Sequence, residues 1–161
     1  MIIIGERINS TRKPINAAIE ARDADHILNE ARRQWDAGAV YLDVNTAMMR
    51  TTEAEAMAWV IELIQDDLPD ALIAIDSANP VAVEAGLKVH KGRPLLNSIN
   101  AEKQRIDDLI PLIREYNPRV IGLTIDDEGI SQEADKRYQL GAELIELLSK
   151  NDIALDDIFI D

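Results

Sequence analysis

The sequence contains no cysteine among its 161 residues, which excludes disulfides, thiol catalysis and cysteine-ligated metals. Long apolar runs are also missing. Every apolar stretch falls far short of the roughly 20 residues that span a bilayer, and residues 1–4 are too short for a signal peptide. We therefore expect a cytoplasmic protein that does not associate with a membrane.

Basic residues are few as well. The chain has 17 lysines and arginines against 30 aspartates and glutamates, a net charge of −13. This charge argues against nucleic acid as a partner. Because 47% of the residues are apolar and the length is sufficient for a core, we expect one globular domain.

Several common types of site also lack their signals. The glycines Gly5, Gly38 and Gly92 are isolated, so no phosphate-binding loop is predicted. No EF-hand spacing is present, and no metal site is predicted. The two histidines, His26 and His90, fall inside or at the end of predicted helices and are expected at the surface.

The chain does contain a regular alternation of apolar runs and amphipathic segments. Six strands are predicted, at residues 2–9, 40–45, 72–76, 94–97, 120–125 and 158–161. Helices are predicted at 23–37, from 52 to Pro69, at 80–92, around the apolar residues 106–113, and at 132–150. Asp23, Asn79 and a capping box of Thr52 with Glu55 predict helix starts. Pro111 is expected to shorten or kink its helix.

This alternation predicts the α/β class, with a parallel sheet covered by helices. Two architectures satisfy the spacing equally well. One is an open doubly wound sheet. The other is a (β/α)8 TIM barrel truncated after its sixth strand.

Acids and amides stand at the carboxyl ends of five of the six strands. They are Asn9, Asp43 and Asn45, Asp76, Asn97, and Asp161. Any one of them could be a helix cap or turn residue, as we expect for Asn79 and Asn100. Together they predict a polar pocket, since α/β folds place their sites at this edge. Acids and amides without a basic cluster favour a heterocycle rich in N–H donors and ring nitrogens.

These motifs also carry a resemblance to a known family. The matching pieces lie at residues 3–9, 42–45, 75–79, 96–102, 121–124, 129–130 and 157–161. In this order and spacing the chain resembles the methyltetrahydrofolate:corrinoid protein methyltransferases, of the pterin-binding superfamily. Dihydropteroate synthase belongs to the same superfamily, but its N-terminal Asn-Val-Thr-Pro-Asp-Ser-Phe motif is absent here.

The resemblance implies a TIM barrel that binds methyltetrahydrofolate as substrate. It implies that Asp76, Asn97 and Asp161 hold the pterin ring, with Asp161 on the 2-amino group and N3–H. Asp43, Asn45 and Asn9 match positions that line or brace the pocket. The implied reaction moves the N5 methyl group to Co(I) of a corrinoid carried by a separate protein. The enzyme must then supply a proton or a strong hydrogen bond to N5, an otherwise poor leaving group.

The family's seventh and eighth strands have no counterpart in this sequence. The seventh carries an asparagine credited with the N5 hydrogen bond, so no catalytic residue is identified here. Residues 1–161 are therefore expected to form a partial pterin-binding domain that is inactive alone, and its open strand edges favour a homodimer. The alternatives are a non-catalytic pterin- or partner-binding fragment and, more weakly, a dihydropteroate synthase-like enzyme.

Overall fold

The computed structural model describes residues 1–161 and contains every predicted strand and helix. The strands are β1 (Ile4–Asn9), β2 (Tyr41–Asn45), β3 (Leu72–Asp76), β4 (Leu95–Asn100), β5 (Arg119–Leu123), β6 (Ile125–Asp126), β7 (Gly129–Ile130) and β8 (Ile158–Ile160). The helices are α1 (Lys13–Ala21), α2 (Ala24–Asp36), α3 (Glu53–Asp67), α4 (Pro80–Val89), α5 (Lys103–Tyr116) and α6 (Ala134–Ser149). Short 3-10 turns lie at Ala47–Thr52 and Leu155–Asp157.

Six strands form one sheet in the order β1-β2-β3-β4-β5-β8, while β6 and β7 form a separate antiparallel hairpin. Pairing is parallel between β1 and β2, β2 and β3, and β5 and β8. A doubly wound sheet reverses its strand order at a switch point, and this order has no reversal. The sheet is therefore that of a partial TIM barrel, and it is not closed. The predicted fold class is confirmed.

By internal contacts the chain divides into two compact units, Met1–Leu95 and Leu96–Asp161. In the first unit, the strand residues Tyr41, Leu42, Val44, Ile73 and Ile75 are fully buried. Helix α3 packs against β2 and α4 packs against β3. The two helices approach closely at Gly86, where an added Cβ would lie 3.0 Å from Ile61 Cδ1 and 3.1 Å from Met57 Cγ. In the second unit, Leu144 and Leu148 of α6 are buried in the same way.

Two elements were not predicted. Helix α1 lies between the predicted strand 2–9 and the predicted helix 23–37, and its buried residues are Ile15, Ala18 and Ile19. Most of the β6–β7 hairpin lies between the predicted strand 120–125 and the predicted helix 132–150. Strand β1 is shorter than predicted and begins at Ile4. The preceding residues Ile2 and Ile3 are 49% and 43% exposed.

The predicted helix termini are correct in two cases and wrong in one. Asp23 accepts a hydrogen bond from His26 N, and Asn79 accepts one from Val81 N, both as N-caps. The capping box is wrong: Thr52 makes no side-chain cap, and its hydroxyl donates to Met49 O instead. Pro111 lies inside α5, which continues to Tyr116 without being shortened.

The amino end of β3 is held by Gln65, a buried side chain in the last turns of α3. Its Nε2 donates to the backbone oxygens of Ala71 (2.9 Å) and Lys91 (3.0 Å), and its Oε1 accepts from Lys91 N (2.8 Å). We call this set of contacts the Gln65 bridge. His90 lies beside it and accepts a hydrogen bond from Ile73 N at Nε2 (3.1 Å). The expected surface position is correct for His26 but wrong for His90, which is partly buried.

Burial lowers the pKa of His90 to about 4 from its usual 6.5, against a smaller upward effect of the Gly92 backbone. Between these values the unfolded chain binds a proton that the folded chain does not. The free energy of unfolding should therefore fall as the pH drops from 6.5 to about 4. After allowance for the partial exposure of His90, the loss should be about 1–2 kcal/mol.

Urea denaturation at pH 7 and pH 4.5 measures this effect. The wild type should lose about 1–2 kcal/mol more than His90→Gln, whose side chain does not titrate. His26→Gln, at an exposed site, is the matched control and should follow the wild type. Equal losses in the wild type and His90→Gln would contradict the assignment.

Candidate ligand-binding site at the strand ends

Three of the predicted site residues lie side by side at the carboxyl ends of β1, β2 and β3. In the parallel register Asn9 is opposite Asn45, and Asn45 is opposite Asp76. Equivalent positions on parallel strands point to the same face, so these side chains form a row within the first unit. We call Asn9, Asn45 and Asp76 the strand-end row.

Asn45 has a fixed orientation within this row. Its Oδ1 accepts hydrogen bonds from Ser10 Oγ and from Ala47 N, both at 3.1 Å. Its Nδ2 must then face the other way, and it donates to Asp76 Oδ2 at 2.9 Å. Ser10 Oγ in turn accepts from Met48 N (3.1 Å), which ties the loop after β2 to the same network. Asn45 therefore braces the Asp76 carboxylate.

Asn9 and Asp43 play different parts from Asp76. Asn9 Oδ1 accepts from Thr11 N (2.9 Å) and Thr11 Oγ1 (2.7 Å), so both acceptor positions shape the turn before α1. Asp43 lies two residues before Asn45 on β2 and is only 2% exposed, in register with Ala74. Asp76 is partly exposed at the end of its strand and is the acid of the first unit best placed to meet a ligand.

Sequence reasoning missed Glu53, a buried carboxylate behind the strand-end row. It is the first residue of α3 and is 6% exposed. Its two oxygens accept from Ser77 Oγ and from Asn79 Nδ2 (3.1 Å). The sequence shows only that Glu53 is an acid at a helix start. By itself, this position indicates no more than a favourable interaction with the helix dipole.

In the second unit, Asp161 follows β8 and is exposed. Its backbone oxygen accepts from Thr124 N (2.9 Å) and Thr124 Oγ1 (3.1 Å), and its N–H donates to Gly122 O (3.0 Å). Arg137 Nε donates to the same Thr124 hydroxyl at 3.3 Å. Asp161, Thr124 and Arg137 line two adjoining depressions of about 420 and 140 Å³. Thr124 and Arg137 were not predicted to line this site. Their contacts are with residues distant in sequence, which no local pattern indicates.

Asn97 lies in the middle of β4 and is partly exposed. The next residue, Ser98, has its carbonyl oxygen bound by Arg105 of α5, through Nε (3.0 Å) and Nη2 (2.6 Å). Asn100, which was expected as a cap, accepts instead from Glu102 N (3.1 Å) and forms a turn ahead of the α5 N-cap at Glu102. The end of β4 is thus fixed by side chains on both sides of the turn.

Ion pairs set the charge around these strand ends. Arg7 pairs with Glu30 of α2, whose hydrogen bond raises the pKa of the Arg7 guanidinium. Lys136 pairs with Glu128 (2.6 Å) and Asp126 (2.9 Å) of the hairpin, and these contacts raise the Lys136 pKa and lower that of Asp126. Arg7 and Lys136 are therefore both paired with acids close to them in the structure. No group of three or more His, Cys, Asp or Glu side chains is arranged to hold a metal ion.

A family model matches almost the whole chain. Residues 5–161 match the family model described as pterin binding enzyme. The chain belongs to the pterin-binding enzyme family. The resemblance inferred from the strand-end motifs is thereby confirmed.

Curated relatives of this pterin-binding chain are named methyltransferase or synthase. It is 31% identical over 163 residues to methylcorrinoid:tetrahydrofolate methyltransferase of Eubacterium limosum, over 100% of this chain and 60% of that protein. It is 31% identical over 159 residues to methionine synthase of Mycobacterium tuberculosis and 28% over 160 residues to that of Mycobacterium leprae. Each of these two alignments covers 94% of this chain and 13% of the synthase.

The pterin-binding chain thus spans about three fifths of the methyltransferase and a small part of each synthase. None of the helices in residues 1–161 is both long and apolar enough to cross a bilayer. Side chains that could hold a pterin ring are Asp76 in the first unit, and Asn97 and Asp161 in the second.

Proposed function

We propose that this pterin-binding protein takes part in methyl transfer between a tetrahydrofolate and a corrinoid carried by a separate protein. Asp76, Asn97 and Asp161 bind the pterin ring, and Asn9, Asn45 and Asp43 brace the pocket. In the direction inferred from the sequence, the N5–CH3 bond of methyltetrahydrofolate breaks, N5 gains a proton and the methyl group joins Co(I). The name of the Eubacterium limosum relative describes the reverse transfer, and one site serves both directions.

The observation that carries this proposal is the hydrogen-bonded strand-end row. A pterin ring presents N–H donors, and a carboxylate accepts hydrogen bonds from such donors. Asp76 has that chemistry, and the Asn45 amide fixes its Oδ2. Such a residue, held rigid at the carboxyl end of a barrel strand, is preorganised for binding.

The proposal treats residues 1–161 as one partial pterin-binding domain that binds the folate but does not transfer the methyl group alone. No residue is assigned a contact with N5, so no catalytic residue is named. β1 and β8 are the outer strands of the described sheet, and outer strands can pair with a second copy, so the proposal includes a homodimer in the cytoplasm.

Calorimetric titration with tetrahydrofolate and methyltetrahydrofolate tests the proposal. The wild type should bind both, and para-aminobenzoylglutamate, which lacks the pterin ring, should give no heat. Asn97→Ala and Asp161→Ala should each weaken binding about tenfold, the effect of losing one hydrogen-bonding partner to a charged or polar ring edge.

Asp156→Ala is the matched control, because Asp156 is an exposed acid in the 3-10 turn before β8. Its affinity should equal that of the wild type. If the wild type binds neither folate, the proposal is wrong. Equal binding of para-aminobenzoylglutamate and tetrahydrofolate would place recognition away from the pterin ring and would also contradict it.

A further inference from the structure

We infer that Glu53 is a positioning residue for Asp76, holding the segment that leaves β3 so that the Asp76 carboxylate keeps one orientation. The inference rests on the proposed function, because it assigns Asp76 to the ligand. It concerns a buried side chain on a different element, the first residue of α3.

The contacts of Glu53 all converge on the end of β3. Oε1 accepts from Ser77 Oγ, and Oε2 accepts from Asn79 Nδ2 at 3.1 Å. Ser77 is the residue directly after Asp76 and is 2% exposed. Its hydroxyl oxygen also accepts from Asn79 N at 3.0 Å, so the donated and accepted bonds close a compact turn.

Glu53 is anchored at its own end as well. Its backbone oxygen accepts from the hydroxyl of Thr46, a fully buried residue that follows Asn45. Asn45 in turn donates to Asp76. The Asp76 carboxylate is thus constrained from two sides, by Asn45 across the sheet and by Glu53 through the following residue.

The chemistry of the position explains why an acid is present. Both partners of the Glu53 side chain are donors, a hydroxyl and an amide N–H, and a carboxylate is the side chain that accepts from both at once. A glutamine is uncharged and has a single acceptor atom, so Ser77 and Asn79 can no longer each donate to a separate carboxylate oxygen. Because Glu53 is buried, the direct effect of its loss falls on residues 77–79, not on the ligand.

Glu53→Gln and Ser77→Ala test the inference, with tetrahydrofolate affinity as the readout. Each variant should bind about tenfold more weakly, and the double variant should be little worse than either, because the two residues act through one contact. Methyltetrahydrofolate should show the same losses. The proton NMR signals of bound pterin should broaden or shift in both single variants, as expected for a less ordered Asp76.

Gln65→Met is the matched control for a loss of stability alone. Gln65 is a buried polar residue of the same helix, but the Gln65 bridge holds the opposite, amino end of β3. This variant should be destabilised at least as much as Glu53→Gln and yet bind tetrahydrofolate with wild-type affinity. All affinities are measured well below the melting temperature of each variant.

Three outcomes would overturn the inference. Wild-type affinity in Glu53→Gln and Ser77→Ala would show that Asp76 does not depend on Glu53. An equal loss in Gln65→Met would show a general effect of stability. Independent, additive losses would place Glu53 and Ser77 on separate routes. If Glu53→Gln does not fold, Ser77→Ala decides alone. Failure of the wild type to bind would instead count against the proposed function.

Discussion

Asp76→Ala is expected to weaken tetrahydrofolate binding about 100-fold, and Asp76→Asn about tenfold. In the first variant the charge-assisted contact of Asp76 with the pterin ring is lost, together with the acceptor of the Asn45 amide. In the second variant the amide can still accept from Asn45, so the row is kept while the charge and one acceptor are lost. Calorimetric titration at fixed ionic strength measures the tetrahydrofolate affinity of both variants.

Asp70→Asn is the matched control for this experiment. Asp70 is exposed and lies just before β3, whereas Asp76 lies at its end, so both substitutions remove one negative charge from the same strand region. With a net charge of −13, a general electrostatic effect of the acidic surface would weaken or strengthen binding similarly in both variants. An equal change in Asp70→Asn, or unchanged affinity in Asp76→Ala, would contradict a pterin site at β3.

The six strands of the main sheet were predictable because a short apolar run lies in or just before each of them and is followed by a polar residue. Parallel strands of similar length end at one edge, so the strand-end row was predictable in outline too. The missed elements are short or weakly patterned. Helix α1 begins in the basic segment before Pro14 and buries only one narrow apolar stripe, and the hairpin strands are two residues each.

The orientation of each side chain was not predictable, because it depends on partners far away in the chain. Ser10 and Asn45, which together fix the direction of the amide, are 35 residues apart. Glu53 and Ser77 are 24 residues apart. No local pattern specifies such contacts, since they exist only after β1, β2, β3 and α3 have packed. The sequence therefore predicted which strands end in acids and amides, but not the side chains that brace those residues.

His90 illustrates the same limit at the opposite end of β3. Its place after α4 suggested a surface residue, and a helix-end histidine with no pattern around it gives no other signal. The His90 ring instead lies partly buried, where its Nε2 accepts a hydrogen bond from Ile73 N. This N–H lies at the start of β3 and needs an acceptor. The paired positions of His90 and Gln65 show that the amino end of β3 is also secured by side chains.

Gln65→Met is expected to lower the free energy of unfolding by about 2–3 kcal/mol, since the methionine keeps the volume but cannot replace the hydrogen bonds. The Ala71 oxygen and both polar groups of the Lys91 backbone would lose their Gln65 partner. Urea denaturation measures the loss, and amide exchange at Lys91 should accelerate. Gln139→Met, at an exposed site on α6, should change stability by less than about 0.5 kcal/mol. Unaltered Lys91 exchange in Gln65→Met would mean that the bridge does not hold this turn.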